Sequence, residues 1–307
     1  MDTIRAMQVF VRAVELGSLS AVAREQQSTQ PTISKVVAAL EKDMGVRLLE
    51  RSTTSLSPTE AGRRFYERAR RVLDEYGEAV SDARGMSGHP AGRVRVSAPA
   101  SFGVLRLNAL VLAFQQRYPE VEVELLFDDR FVDLVEEGVD IAVRLGASLP
   151  PNVVARRIAV SPRLLVASPD YLARHPRIRQ PADLARHQIL RFTWLAAGDE
   201  IVLDGPGGQA PVSAPCRYRV NNSLAMRESF LAGVGFGMTP AWLVQDLLDS
   251  GALQHVLPRW SGPAQEAFLV YPSRRYQPAR VRVLLDYLAQ AIAGLPGLTR
   301  CAASLGL

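Results

Sequence analysis

Between residues 58 and 86 nothing interrupts a helical pattern, and that stretch limits the fold more than any other. Phe65, Ala69, Val72, Tyr76, Ala79, Ala83 and Met86 recur at alternating spacings of four and three, the period of a heptad seam. A helix over 58–86 would span roughly 40 Å, more than a single small domain needs. A narrow apolar stripe on so long a helix calls for another like it, so the seam points to a homodimer or homotetramer. The competing reading packs the stripe against the chain's own domain. Three alanines keep the seam thin, so helix pairing alone is weak. Ser57-Pro58-Thr59-Glu60 reads as a capping box, with Ser57 as cap, Pro58 at the first helical position and Glu60 returning to the cap. Downstream, Gly85 to Gly92 carries the glycine and proline of a joint, which sets the main domain boundary.

Upstream of the long helix, Ile4, Met7, Phe10, Val11 and Val14 keep the spacing of a helix with one buried stripe, and Gly17 ends it. Ser18 or Ser20 then caps a short second helix reaching about Gln26. Thr29 caps a third, with Pro31 in its first turn, where a missing amide hydrogen costs nothing. Ile33, Val36, Val37 and Leu40 line the inward face, which turns Pro31, Ser34, Lys35 and Ala38 outward. Two short helices joined by a tight turn, the second presenting a small, polar, basic face, form the helix-turn-helix pattern. A plain three-helix bundle is the alternative, with those positions merely solvated. Leu48-Leu49-Glu50-Arg51-Ser52-Thr53-Thr54-Ser55-Leu56-Ser57 adds a small hairpin with hydroxyls and an arginine at its tip, groups that backbone phosphates accept.

Gln30-Pro31-Thr32-Ile33-Ser34-Lys35, Leu40-Glu41, Gly45, Leu48-Leu49-Glu50-Arg51 and Leu56-Ser57-Pro58-Thr59-Glu60-Ala61-Gly62 resemble, in order, the winged helix-turn-helix of LysR-type transcriptional regulators. The resemblance implies that Ser28, Thr29, Gln30, Pro31, Thr32, Ser34 and Lys35 approach the major groove of double-stranded DNA. Arg51 and Thr53 would hold the backbone from the wing. The chain departs from the family where apolar residues are usual and Gln26 and Ser28 stand, at Leu49 in place of phenylalanine, and at Thr54 where a second wing arginine is common. The first departure implies weaker packing of the second helix. The last removes a phosphate contact.

Charge alone decides little: Lys plus Arg exceeds Asp plus Glu by 36 to 31, a net of +5, which weakly favours a polyanionic partner. Cys216 and Cys301 lie too far apart for a metal-ligand pair and are too few for a disulfide framework, so two reduced thiols are expected. No apolar run suits a membrane span, and Met1-Asp2-Thr3-Ile4-Arg5 lacks the pattern of a secretory signal, so a cytoplasmic protein without membrane contact is expected.

From residue 93 the pattern changes to strand, helix, strand: strands over 93–98, 121–127 and 139–144, helices over 103–118 and 131–137, then further strands and helices over 162–168, 218–222, 223–232, 236–239, 267–271 and 279–292. Such alternation implies α/β lobes around a cleft that holds a small ligand. Pro99, Ala100, Ser101 and Phe102 follow a strand and open a helix, as do Asn221 and Asn222 further on. Backbone amides at those helix starts make a seat for a carboxylate or similar anion. Asp128, Arg144 and Phe236 complete the expected effector site. The plainer reading makes the serine and asparagine mere caps and the aspartates a solvated turn. Val139-Asp140-Ile141-Ala142-Val143-Arg144-Leu145-Gly146, Ser168-Pro169-Asp170-Tyr171-Leu172 and residues 231–237 resemble the regulatory domain of the same family, itself similar to type 2 periplasmic binding proteins.

An enzyme is the competing class. His89, His175, His187 and His255 show no ligand or triad spacing, and neither a G-x-S-x-G elbow nor a P-loop occurs, so no catalytic residue, metal or cofactor is expected. A solute-binding protein would need export. The expected organisation is therefore an all-α winged helix-turn-helix over 1–59, a linker and dimerisation helix over 58–87, a hinge over 88–92 and a two-lobed α/β effector-binding domain over 93–307. Lobe I takes 93–162 and 268–295, and lobe II takes 163–267. The expected function is operator binding modulated by a small anionic effector, with RNA polymerase as a further candidate partner.

Overall fold

The computed structural model describes residues 2–51, 56–83, 90–130, 133–134, 137–146, 153–193, 200–273 and 277–301. The chain divides into two units, one built mainly from Met1–Gly92 and the other from Arg93–Leu134, Val139–Arg275 and Val281–Leu307.

In the first unit, α1 (Thr3–Leu16) is capped by Asp2, whose carboxylate accepts from the Arg5 amide at 3.1 Å, and ends at Gly17 with φ 60°. Ser18, not Ser20, caps α2 (Leu19–Glu25), accepting from the Ala21 amide at 3.2 Å. Thr29 caps α3 (Gln30–Met44) with Pro31 in the first turn. Strands β1 (Leu49–Arg51) and β2 (Leu56–Pro58) pair antiparallel and lead into α4 (Glu60–Ala83). The core joins Ala6, Val9, Phe10 and Ala13 of α1 to Ile33, Val37 and Leu40 of α3, Leu48, Leu49 and Ala69. The buried face of α1 is displaced from the expected stripe, leaving Ile4, Met7 and Val14 half-buried. The cause is crowding: α1 packs against α2, α3, α4 and β2, so the small Ala6 and Ala13 are covered as well. Despite Gln26 and Ser28, α2 packs fully through Leu19, Val22 and Ala23.

Two expectations about the long helix are corrected. Its cap is Thr59: Ser57 and Pro58 belong to β2, paired with Glu50 and Leu49, and strand pairing outcompetes the local capping signal. The Thr59 hydroxyl accepts from the Gly62 amide at 2.9 Å and donates to the Arg47 carbonyl at 2.8 Å. The heptad seam also divides. Phe65 and Ala69 pack into the first unit's own core, with the Phe65 ring 5.4 Å from Phe10, whereas Val72, Tyr76 and Ala79 are exposed. The wing is fastened at three points. The Glu41 carboxylate accepts from the Leu48 and Leu49 amides at 2.8 and 3.0 Å, Thr59 holds Arg47, and Gly62 backs so closely onto the Leu48 carbonyl that a Cβ would stand 1.9 Å from its oxygen.

The second unit starts with β3 (Gly92–Ala98), the short α5 (Ala100–Phe102), a π-helical turn (Gly103–Leu107), α6 (Asn108–Arg117), β4 (Val121–Phe127), β5 (Ile141–Leu145) and the 15-residue β6 (Val153–Ala167). There follow α7 (Pro169–Arg174), a 3-10 turn (Pro181–Arg186), β7 (Ile189–Phe192), β8 (Glu200–Gly205), β9 (Gly208–Ser213), β10 (Tyr218–Val220) and α8 (Ser223–Leu231). The chain closes through β11 (Phe236–Pro240), α9 (Ala241–Asp249), β12 (Gln254–Val256), β13 (Gly262–Pro272), α10 (Ala279–Ala293) and β14 (Thr299–Arg300). Among the described residues one mixed sheet runs in the order β10-β7-β11-β6-β13-β5-β3-β4, with β12 and β14 also on β6. The long strands β6 and β13 are common to both lobes and pair with each other from Gly262 to Pro272 across two irregularities of register. Ile141, Ala142 and Val143 are buried, as a strand covered on both faces requires. Phe102, Phe114, Phe230, Trp242, Leu284 and Leu288 belong to the largest core cluster, and Leu165, Tyr171, Leu184 and Phe236 to another. The helix expected over 131–137 falls partly outside the described residues, and Asp133, Leu134 and Glu137 are not helical.

Candidate nucleic-acid interface and ligand-binding face

With Ile33, Val37 and Leu40 holding one side of α3 in the core, the 100° step per residue leaves the other side open. Thr29, Gln30, Pro31, Thr32 and Lys35 are exposed, and Ser28 and Ser34 are half-buried. The Thr29 and Thr32 hydroxyls lie 2.8 Å apart, one donating to the other, at the first turn of the helix. This end of α3 therefore presents hydroxyls, a side-chain amide and one ammonium on a rigid element, a composition suited to base edges and phosphates. Arg51 closes β1, and Thr53 lies outside the described residues.

In the second unit the expected effector residues have divergent fates. Pro99 and Ala100 are half-buried where β3 gives way to helix, and the Ala100 amide donates to the Asp129 carboxylate at 3.0 Å. The amide seat expected for an outside anion is thus partly taken by the chain's own Asp129. Asp128 instead accepts from the Arg130 amide at 2.8 Å and closes a turn, the plainer of the two readings. Ser101 is buried, and its hydroxyl is sealed from solvent without a hydrogen-bond partner among the described residues. Phe102 is fully buried and meets Trp242 edge-on at 5.1 Å. Arg144 is buried and donates to the Ser97 hydroxyl at 3.3 Å and to the Val143 carbonyl at 3.2 Å. Asn222 is spent on capping α8, accepting from the Ala225 amide at 3.0 Å, and its neighbour Asn221 is exposed. Phe236 is fully buried, edge-on to His187 at 6.4 Å, because β11 lies inside the sheet between β6 and β7.

Residue patterning missed a histidine cluster. The Tyr171 hydroxyl and His187 Nδ1 lie 3.2 Å apart, and His175 stacks on Tyr171 at 4.0 Å. Burial, reinforced by the charge of His175, holds the His187 imidazole below the usual histidine range. Burial alone does the same at His255. Among the described residues no group of three or more His, Cys, Asp or Glu side chains is placed to hold a metal ion. None of the described helices is by itself long and apolar enough to cross a membrane.

A winged helix-turn-helix joined to a two-lobed α/β domain defines a class, the DNA-binding regulator that carries its own ligand domain. Residues 4–63 match the family model of the bacterial regulatory helix-turn-helix protein, lysR family, and residues 87–293 match the LysR substrate binding domain. The chain belongs to the LysR family of transcriptional regulators. It is 33% identical to the HTH-type transcriptional regulator PtxR of Pseudomonas aeruginosa over 94% of this chain and 93% of that protein. The solved structure of CrgA, a LysR-type transcriptional regulator from Neisseria meningitidis, is 30% identical with a TM-score of 0.59, covering 93% of this chain and 97% of that one. The full-length Vibrio cholerae virulence activator AphB, at 27% identity and a TM-score of 0.57, covers 93% and 98%.

Proposed function

We propose that this regulator reads its operator with Ser28, Thr29, Gln30, Pro31, Thr32, Ser34 and Lys35, steadied by Arg51 and Thr53 from the wing, and that a small anionic effector in the α/β domain modulates the binding. The observation that carries the first half is the exposure of Thr29, Gln30, Pro31, Thr32 and Lys35 around a helix whose opposite side is locked in a core. For the second half, the support is the Ser101 hydroxyl, buried and unpartnered at a strand-to-helix junction. The functional divisions are 1–59 for reading DNA, 58–87 for linking and pairing, 88–92 as hinge and 93–307 for the effector, with lobes at 93–162 plus 268–295 and at 163–267. The working form is a cytoplasmic homodimer or homotetramer without catalytic activity. Exposed Val72 and Tyr76 on one side of α4 supply the pairing surface. Two paired readers would meet half-sites ~34–36 Å apart or a multiple of this.

A gel-shift titration against the upstream DNA of its own gene tests the reading. Loss of a direct base or phosphate contact costs about 1–3 kcal/mol, so Lys35→Ala should weaken operator binding by roughly ten-fold or more. Undiminished binding would remove the recognition-helix assignment.

A further inference from the structure

Several arginines of the second unit are paired. Arg106 donates to the Trp242 carbonyl and Asp246, Arg227 to Asp246, Arg157 to Glu266, Arg156 to Asp286 and Arg95 to Glu124. Arg163 is different. It lies near the C-terminal end of β6, directly opposite Pro240 of β11 on one side and Gly262 of β13 on the other. Its side chain is half-buried, its Nε is sealed from solvent, and it makes no hydrogen bond or ion pair with the described residues. Burial alone pushes its pKa below the usual arginine value, and no carboxylate among the described residues opposes that. Its neighbours across the sheet are apolar: Gly262 brings no side chain, and the Met238 thioether fills the space over it, 2.0 Å from where a Cβ would stand.

A withdrawn, unpaired cation is costly unless something of opposite charge completes it. A guanidinium offers a planar fork that fits a carboxylate through two parallel hydrogen bonds, and apolar walls suit the organic part of such a molecule. Resting on the effector reading above, we propose that Arg163 is the seat for the carboxylate of an organic acid in the second unit. Two residues before it, the Ser161 hydroxyl accepts from the Trp242 amide at 3.1 Å and donates to the Gly297 carbonyl at 2.7 Å. Trp242 in turn packs on Phe102, beside the orphaned Ser101 hydroxyl. An acid seated on Arg163 therefore acts on a strand fastened to the helix start at Ser101.

Thermal melting of the full chain tests this at fixed ionic strength, with benzoate, acetate or inorganic sulfate as probes, for wild type, Arg163→Met, Arg163→Gln and Ser101→Ala. Without probe, Arg163→Met should melt roughly 2–4 °C above wild type, because an unpaired, half-buried charge has been removed. Benzoate should raise the melting temperature of wild type, and leave that of Arg163→Met and Arg163→Gln unchanged. A lower melting temperature for Arg163→Met without probe would show that the guanidinium serves packing and would overturn the proposal. So would equal stabilisation of all variants by benzoate, or of none. Equal effects of sulfate and benzoate would overturn the organic-acid assignment. Stabilisation of Arg163→Met but not Ser101→Ala would leave the effector reading standing on Ser101 while removing Arg163 from it.

Discussion

The first unit turns the residues proposed to touch DNA outward, and the second turns most of those expected to touch an effector inward. On α3, Thr29, Gln30, Pro31, Thr32 and Lys35 stand exposed, while around β3 and β5 the residues Ser101, Phe102 and Arg144 are buried, as is Phe236 on β11. The difference follows from the shapes being recognised. A DNA groove accepts a protruding helix, so the reading face has to be solvent-accessible before binding. A small ligand is enclosed, so the residues around it share their environment with the core. Substitutions should therefore separate the two units: those on α3 alter binding without altering stability, and those around the enclosed positions alter stability as well.

The largest expected effect is at Phe236. Phe236→Ala should destabilise the second unit by about 3–5 kcal/mol in urea unfolding, since a fully buried ring is lost. A loss below about 1 kcal/mol would mean that the ring contributes little to the core and would blur the contrast between the units. Next in size is the cap of α4. Thr59→Ala removes the acceptor for the Gly62 amide and should cost about 1 kcal/mol, read by denaturant unfolding of the first unit.

A pH effect distinguishes the units without mutation. His187 and His255, both in the second unit, sit below the usual histidine range because burial disfavours their charged forms. In the unfolded chain they titrate near pH ~6.5, so just below that pH the unfolded state binds more protons. Their contribution is intact above the unfolded value and is lost as pH falls through the folded ones. The second unit's melting temperature should drop between neutral pH and pH ~5, and the double variant His187→Gln, His255→Gln should flatten the drop. The smallest expected effect is the stability change for Lys35→Ala, within about 0.5 kcal/mol, despite its large effect on DNA binding. A larger change would mean that α3 spends its outward face on packing.

The reader was legible because a helix face is a local property: the spacing of Ile33, Val37 and Leu40 alone determines which way Lys35 points. Repeated motifs also fixed the order of helix, wing and long helix. Legibility failed where distant strands compete with local signals. Ser57 is a good capping residue, yet its register with Glu50 makes it a strand residue and passes the cap to Thr59. The heptad spacing of α4 could not reveal that Phe65 and Ala69 are claimed by α1 and its neighbours, whereas Val72, Tyr76 and Ala79 are exposed. In the second unit, the strand-helix alternation was plain, but β7, β8 and β9 were not anticipated. Whether Asp128 or Asp129 reaches the Ala100 amide is decided by a turn, not by composition. The orphaned groups on Ser101 and Arg163 exist only because strands far apart in sequence close around them.

The fastening of the wing has a mechanical outcome. With Glu41 gripping Leu48 and Leu49, Thr59 gripping Arg47, and Gly62 pressed to the Leu48 carbonyl, β1 and β2 have no private hinge to α3 or to the start of α4. Any torque delivered along α4 would reach β1 and α3 together, so strand and probe would turn as a single key in the lock.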